Sequence, residues 1–161
     1  MPSDSDKIMN TISVDTCQLI DAALESLDRY SVVVIPVRGS SMLPFIIENI
    51  ERVELSAVPR QLKRGDIVLA WVDNSRYVLH RIIDISASGE VTLQGDGNVV
   101  GVERCRLEDV RAWAHHTIGR HEKRHFLYSR PRRVAARVWL WLRPVRRYLL
   151  FIYRRTVLKI M

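Results

Sequence analysis

The feature of this sequence that most constrains its fold is a series of short apolar runs separated by turns. Six of these runs are candidate strands: residues 31–37, 52–56, 67–72, 76–85, 90–94 and 107–116. Asp73-Asn74-Ser75 separates two of the strongest runs, and a tight polar turn between apolar runs predicts an antiparallel hairpin. Strands of this length at regular spacing are typical of a compact β domain. The sequence therefore predicts a mainly β, antiparallel fold.

Helical patterns flank the β region at both ends. After a polar leader over 1–13, apolar residues recur with helical spacing from Val14 to Arg29 and predict a short amphipathic helix. From Val134 to Arg155, apolar residues fall on one side of a helical wheel and arginines on the other, and Pro144 should split this segment into two helices. We divide the chain into a leader and short helix (1–30), a β domain (31–118) and a basic amphipathic tail (119–161).

The net charge of +7 is distributed very unevenly along the chain. Residues 1–118 contain 12 Lys/Arg and 17 Asp/Glu, whereas residues 119–161 contain 13 Lys/Arg and one Asp/Glu, so the tail alone carries +12. Such a tail predicts an anionic partner. Because it is also amphipathic and rich in tryptophan, we expect residues 126–161 to contact an anionic membrane surface. The candidate contact residues are Trp139, Trp141, Arg143, Arg146 and Arg147.

Two other roles for the tail stay open. Its apolar face could pack on the β domain instead of meeting lipid. Its arginines and aromatic residues would also suit a nucleic acid, but the apolar face would then have no explanation, so we do not expect a nucleic-acid partner. A single N-terminal helix is also too little for a helix-turn-helix DNA-binding unit.

Cysteine usage and the ends of the chain bear on the cellular location. Cys17 and Cys105 lie far apart and in no metal or redox spacing, which predicts two reduced thiols. The acidic N-terminus has no apolar segment of the kind found in secretory signals, and no uncharged apolar run is long enough for a transmembrane helix. We expect a cytoplasmic protein, peripheral at the membrane, with no cofactor and no bound metal.

Three polar residues could form a catalytic site if the β scaffold brings them together. Ser41 lies in a glycine- and serine-containing turn after the first strand, His80 lies on the apolar face of strand 76–85, and Asp96 lies in a Gly-Asp-Gly-Asn turn. A serine hydroxyl becomes a nucleophile when a neutral imidazole takes its proton, and a carboxylate can fix the tautomer of that imidazole. Each residue also has an ordinary structural alternative, as a turn serine, a core histidine or a turn aspartate.

The order of four short motifs resembles that of type I signal peptidases, whose superfamily includes the self-cleaving LexA-like repressors. These motifs are Gly39-Ser40-Ser41-Met42-Leu43-Pro44, Arg64-Gly65-Asp66-Ile67-Val68, Val78-Leu79-His80-Arg81-Ile82-Ile83 and Gly95-Asp96-Gly97-Asn98. The resemblance implies coiled antiparallel β-sheets with Ser41 as nucleophile and Asp96 as assisting carboxylate. It places His80 where most bacterial members have a lysine base.

The same resemblance implies an extended cleft in which a peptide adds as a strand, with small side chains next to the cut. It also implies an oxyanion hole formed by the backbone N–H groups of Ser41 and Ser40. The chain departs from signal peptidases at Gly39, where they often carry a serine whose hydroxyl helps hold the oxyanion, and in beginning with a soluble acidic helix instead of a membrane anchor.

We therefore expect a serine endopeptidase that cleaves a peptide or precursor protein by a Ser41–His80–Asp96 mechanism. The alternative is a non-catalytic peptide-binding or regulatory module with the same fold.

Overall fold

The computed structural model, which describes residues 4–142 and 144–160, is built on one curled antiparallel sheet. The strands are β1 (Val33–Pro36), β2 (Arg52–Ser56), β3 (Ile67–Val72), β4 (Arg76–Ile85), β5 (Glu90–Gln94), β6 (Glu103–Arg106), β7 (Val110–Ile118) and β8 (Arg124–Phe126). They are arranged in the order β1-β2-β7-β3-β4-β5-β6, and β8 pairs with β7. The helices are α1 (Asp4–Leu27), α2 (Arg130–Trp141) and α3 (Arg146–Ile160). The prediction of a mainly β fold with helices at both ends is confirmed.

Most of the strands lie where the apolar runs predicted them. β2, β3, β4 and β5 have the predicted bounds, and β3 and β4 form the predicted hairpin, whereas β1 is shorter than the run at 31–37. No pattern in the sequence predicted β6 or β8. β6 reads Glu-Arg-Cys-Arg and lies at the edge of the sheet, and β8 has only three residues, so neither produces an apolar pattern.

The helices differ from expectation in where they begin. α1 starts at Asp4, so the prediction of a loose leader is wrong for residues 4–13. β8 lies inside the predicted tail, so the sheet extends beyond residue 118. α2 and α3 flank Pro144, as predicted. Neither these two helices nor α1, over the residues described, is long and apolar enough to cross a membrane.

The core is organised around β3, which is buried on both faces. Ile67 and Leu69 pack into one cluster with residues of α1, β1 and β2. Val68, Ala70 and Val72 pack into a second cluster with residues of β4, β5 and β7. This alternation follows from the opposite directions of successive side chains in a strand, and burial on both faces explains the unbroken apolar run. β3 therefore fixes the position of its hairpin partner β4, which carries His80.

Candidate active site

The turn that carries Ser41 is anchored in the core by its neighbours. Met42, Leu43 and Ile46 are fully buried, and the Ile46 N–H donates to the Met42 carbonyl at 3.0 Å. Gly39 has a φ of +81°, a left-handed conformation that favours glycine, and its N–H donates to the Glu48 carboxylate at 2.9 Å. Ser41 itself is half-buried and stands at the edge of this anchored turn.

A second turn, Gly95–Asn98, packs directly against the serine turn. The Gly97 N–H donates to the Ser41 carbonyl at 2.6 Å. A Cβ atom on Gly95 would lie 2.5 Å from the Ser41 carbonyl oxygen and 3.0 Å from His80 Nε2. Glycine is required at this position because any side chain would collide with the serine turn and crowd the imidazole. The backbone of Ser41 and the ring of His80 therefore both lie next to Gly95.

His80 is buried and bound to a carboxylate. Only 3% of the residue is exposed, and its Nδ1 lies 2.9 Å from Glu103 Oε2. A carboxylate can only accept a hydrogen bond, so Nδ1 carries the proton in the neutral ring and Nε2 keeps its lone pair. Nε2 is the ring nitrogen next to Gly95 and the serine turn. The imidazole is therefore oriented as a general base requires.

Burial lowers the pKa of His80 below its ordinary value of 6.5, because the charged ring loses its hydration. The Glu103 carboxylate opposes this effect, both through its charge and through the hydrogen bond, and Arg76 adds to the lowering. The folded-state pKa remains below the ordinary value. The ring is accordingly neutral at pH 7, the state in which it can accept a proton.

Asp96 forms no hydrogen bond with His80, although its negative charge opposes the lowering of the His80 pKa. Its carboxylate accepts two hydrogen bonds from Arg81, at 2.9 Å from Nε and 2.7 Å from Nη2, and both residues are buried. Arg81 also donates to the Gly65 carbonyl at 2.8 Å. The carboxylate beside His80 is thus Glu103, where the sequence led us to expect Asp96. The residue was missed because it belongs to β6, a polar edge strand without an apolar signal.

Ser41 and His80 line the same cavity of about 380 Å³, together with Asn98 and Glu103. Within the parts of the chain that the structure describes, the Ser41 hydroxyl forms no hydrogen bond, either to His80 or elsewhere. Catalytic hydrogen bonds are often long in the absence of substrate. The Ser41 N–H likewise has no acceptor among the described residues and is available to an oxyanion. The Ser40 N–H, expected as a second donor, belongs to the same turn.

The tail helices are part of the site's support, and two of the five membrane candidates face inward. The Trp139 indole N–H donates to the Asp96 carbonyl at 2.7 Å, and its ring packs edge-on against Phe45 with centroids 6.2 Å apart. Arg146 is 1% exposed and donates to the carbonyls of Asn98 and Trp139 at 3.3 and 3.2 Å. Membrane contact through Arg146 is therefore wrong, because its side chain is enclosed by protein, and Trp139 is held in the same contact.

The other candidates differ in position. Trp141 is 81% exposed, and Arg147 is exposed with its guanidinium stacked on the Tyr148 ring. Arg143 lies outside the described residues. Eight large apolar residues of α2, α3 and the segment between them are exposed: Val134, Val138, Trp141, Val145, Tyr148, Leu149, Phe151 and Ile152. We call these residues the outer face. The predicted apolar sector therefore points to solvent, and other residues pack on the β domain.

Replacing Asp96 tests whether its main role is structural. In Asp96→Asn the buried Arg81 loses its counterion, and breaking a buried pair costs about 3–5 kcal/mol. We expect the urea midpoint of unfolding to fall accordingly. The exposed Asp28→Asn should change the free energy of unfolding by less than about 0.5 kcal/mol. Equal stability of the two variants would show that the Arg81–Asp96 pair does not hold the turn.

A pH titration of the His80 ring by NMR tests the Glu103 contact. The folded protein resists protonation of His80 and the unfolded chain does not, so the stability that His80 contributes is complete above pH 6.5 and declines as the pH falls. We expect His80 to titrate below 6.5 in the wild type. It should titrate at still lower pH in Glu103→Gln, which removes the carboxylate that raises the pKa. Glu25→Gln, at an exposed position, should leave the titration unchanged; a higher pKa in Glu103→Gln contradicts this account.

Comparison of the chain with protein-family models, with curated proteins and with solved structures finds no match. The case for a function therefore stands on the residues of the site and their geometry.

Proposed function

We propose that this chain is a serine endopeptidase in which Ser41 is the nucleophile, His80 the general base and Glu103 the residue that orients His80. The observation that carries the proposal is the state of His80. It is buried and neutral at pH 7, it gives Nδ1–H to a carboxylate, and its Nε2 lies beside the turn of a half-buried serine. The order of motifs that resembles signal peptidases supports the same assignment of Ser41 and His80.

In the proposed reaction, His80 first accepts and then donates a proton, both when the acyl-enzyme forms and when it is hydrolysed. His80 Nε2 takes the proton of the Ser41 hydroxyl as Oγ adds to the carbonyl carbon of the scissile peptide bond. The negative oxygen that forms is stabilised by the Ser41 N–H, with the Ser40 N–H as the second expected donor. The imidazolium gives its proton to the leaving amine, and water then hydrolyses the acyl-enzyme with His80 again as base. Glu103 stabilises the charged ring in both halves.

The surroundings of the site favour an extended substrate with apolar side chains. The cavity of Ser41 and His80 shares four residues with a neighbouring, largely apolar cavity of about 210 Å³: Val37, Arg38, Tyr77 and Leu79. β1 pairs only with β2 among the described strands and lies at the edge of the sheet. A peptide laid along this edge could hydrogen-bond to it and place one side chain in the apolar cavity.

A second function, a peptide-binding module without turnover, is favoured by one observation. Among the described residues, the Ser41 hydroxyl has no hydrogen bond to His80, so the nucleophile and base are near each other but not engaged. The two functions share the groove and differ only in the reactivity of Ser41.

A serine-reactive phosphonate probe with peptide mass spectrometry separates the two functions. The proposal predicts labelling of Ser41 in the full chain and none in Ser41→Ala. Loss of the base in His80→Ala should slow labelling by roughly 10²–10⁴-fold, the range that general-base catalysis contributes. Ser31→Ala, an exposed serine, serves as the matched control and should label at the wild-type rate. Unlabelled Ser41 in folded wild-type protein, or labelling that is unaffected in His80→Ala, would contradict the enzyme and favour the binding module.

We also propose that the outer face of α2 and α3 docks on an anionic membrane. Its apolar residues are exposed, and the exposed arginines Arg133, Arg137, Arg147 and Arg155 alternate with them along the sequence, the composition of a segment that lies on an anionic membrane. Next to it lies a cavity of about 710 Å³ whose lining combines Leu140 and Trp141 with one acidic residue, Asp66, and six basic residues: Lys63, Arg64, Arg81, Arg132, Arg133 and Arg137. Arg132 Nη1 is buried there without a hydrogen-bond partner among the described residues. A lipid phosphate would satisfy this donor.

Vesicle co-sedimentation with point variants tests the membrane proposal without removing helices that support the site. A triple variant, Val138→Ser, Trp141→Ser and Ile152→Ser, should lose at least about tenfold in binding to vesicles containing phosphatidylglycerol, since a buried apolar side chain is worth about 1.5–3 kcal/mol. The matched control, Val99→Ser, Val100→Ser and Val102→Ser, removes exposed apolar residues elsewhere and should bind like the wild type.

Binding should also weaken at high salt and on vesicles of neutral lipid. Equal binding by the two triple variants would contradict docking through the outer face. Preference for single-stranded RNA over vesicles would instead favour a nucleic-acid partner.

A further inference from the structure

A β-bulge between β2 and β7 brings together two histidines that a regular strand would separate. Glu54 is in register with His116 and Leu55 with Ala114, so His115 is the extra residue on β7. Neighbouring side chains of a regular strand point to opposite faces, and a bulge re-aims one of them. Here the Nδ1 atoms of the two imidazoles lie 2.6 Å apart.

Both imidazoles also face the Glu54 carboxylate. Glu54 Oε2 lies 3.8 Å from His115 Nδ1 and 3.5 Å from His116 Nδ1. Ligand atoms about 2.1 Å from a tetrahedral Zn²⁺ are separated from one another by roughly 3.4 Å. The two nitrogen–oxygen distances are close to that separation. The distance of 2.6 Å between the two Nδ1 atoms is shorter and would have to increase when an ion binds.

We propose that Glu54, His115 and His116 form a binding site for one divalent transition-metal ion, with Zn²⁺ the best suited. Two imidazole nitrogens and one carboxylate oxygen are donors that Zn²⁺ accepts readily, whereas Mg²⁺ and Ca²⁺ prefer oxygen alone. The ion binds the Nδ1 lone pairs while the ring protons reside on Nε2, which also relieves the close approach of the two nitrogens.

The exposure of the three residues gives the site one open side. The side chains of Glu54 and His115 are 7% and 11% exposed, whereas that of His116 is 27% exposed. Trp113 flanks His115 and Phe126 flanks His116, with ring centroids 5.5 and 5.2 Å apart. An ion therefore enters past His116 and keeps one position for water, as zinc sites with three protein ligands do.

Arg124 is the group that competes with an ion. Its Nη2 donates to Glu54 Oε2 at 2.6 Å and neutralises the carboxylate. The Arg124 side chain is 58% exposed, so it can turn toward solvent when an ion arrives. Removing this positive charge should accordingly strengthen metal binding.

The metal site is independent of the proposed peptidase. β3 lies between β7 and β4 in the sheet, and none of the three ligands lines the cavity of Ser41 and His80. A bound ion would join β2 to β7 beside β8, and its effect would be on the stability of that end of the sheet.

Calorimetric titration of the full, untagged, chelator-treated chain with ZnCl₂ tests the site. We expect one ion per chain and a rise in the melting temperature with zinc concentration. His116→Asn and Glu54→Gln should weaken binding by more than the roughly tenfold that loss of an outer-shell partner costs. His121→Asn is the matched control, because His121 is exposed and has a φ of +61° that asparagine tolerates, and it should bind like the wild type.

Arg124→Gln should bind zinc more tightly than the wild type. Absence of saturable binding by the wild-type chain overturns the proposal without reference to the folding of any variant. Binding by His116→Asn, shown by circular dichroism to be folded, that equals the wild type also overturns it.

Discussion

The geometry of the candidate site depends on the packing of the turn Gly95–Asn98 against the rest of the protein. One of its glycine N–H groups binds the Ser41 carbonyl, and its aspartate side chain binds Arg81 on β4. Two of its carbonyls accept hydrogen bonds from Trp139 and Arg146 of the tail. The turn therefore joins the serine turn, the strand that carries His80 and the C-terminal helices, and a change in any of the three bears on the others.

The C-terminal helices have two faces with different consequences. Their inner face supplies Trp139 and Arg146 to the turn beside Ser41 and His80, while their outer face is apolar and exposed. The tail is thus both a support for the site and the surface proposed to meet lipid. Since the same helices serve both purposes, removing the tail would disturb the site, and single substitutions on the outer face are the cleaner way to separate the two roles.

The sequence could predict what depends on local pattern. Apolar alternation located β2 to β5 and placed His80 on an inward face, and the glycines at 95 and 97 marked a turn that the structure packs against Ser41. It could not predict Glu103, because the contact with His80 arises from β6, whose position depends on pairing with β5 and not on an apolar run of its own.

Two further differences have similar causes. Asp96 occupies the motif position where the resemblance implies an assisting carboxylate, but the side chain that binds it is Arg81. Arg81 follows His80 directly in β4, and neighbouring side chains of a strand point to opposite faces of the sheet. For the tail, a helical wheel drawn through Val134–Arg155 assumes one continuous helix. The wheel separates apolar from basic residues but does not say which side meets the protein. The structure exposes the apolar residues of the outer face and encloses Arg146.

The proposed peptidase activity requires Ser41 as nucleophile and His80 as base, with Glu103 behind the imidazole. The most direct test is a crystal structure of the chain after reaction with a phosphonate probe. We expect phosphorus bonded to Ser41 Oγ, a phosphoryl oxygen accepting from the Ser41 N–H, and His80 Nε2 within hydrogen-bond reach of the adduct while Nδ1 still binds Glu103. An adduct on another residue, or one at Ser41 with the His80 ring turned away from it, would contradict the claim.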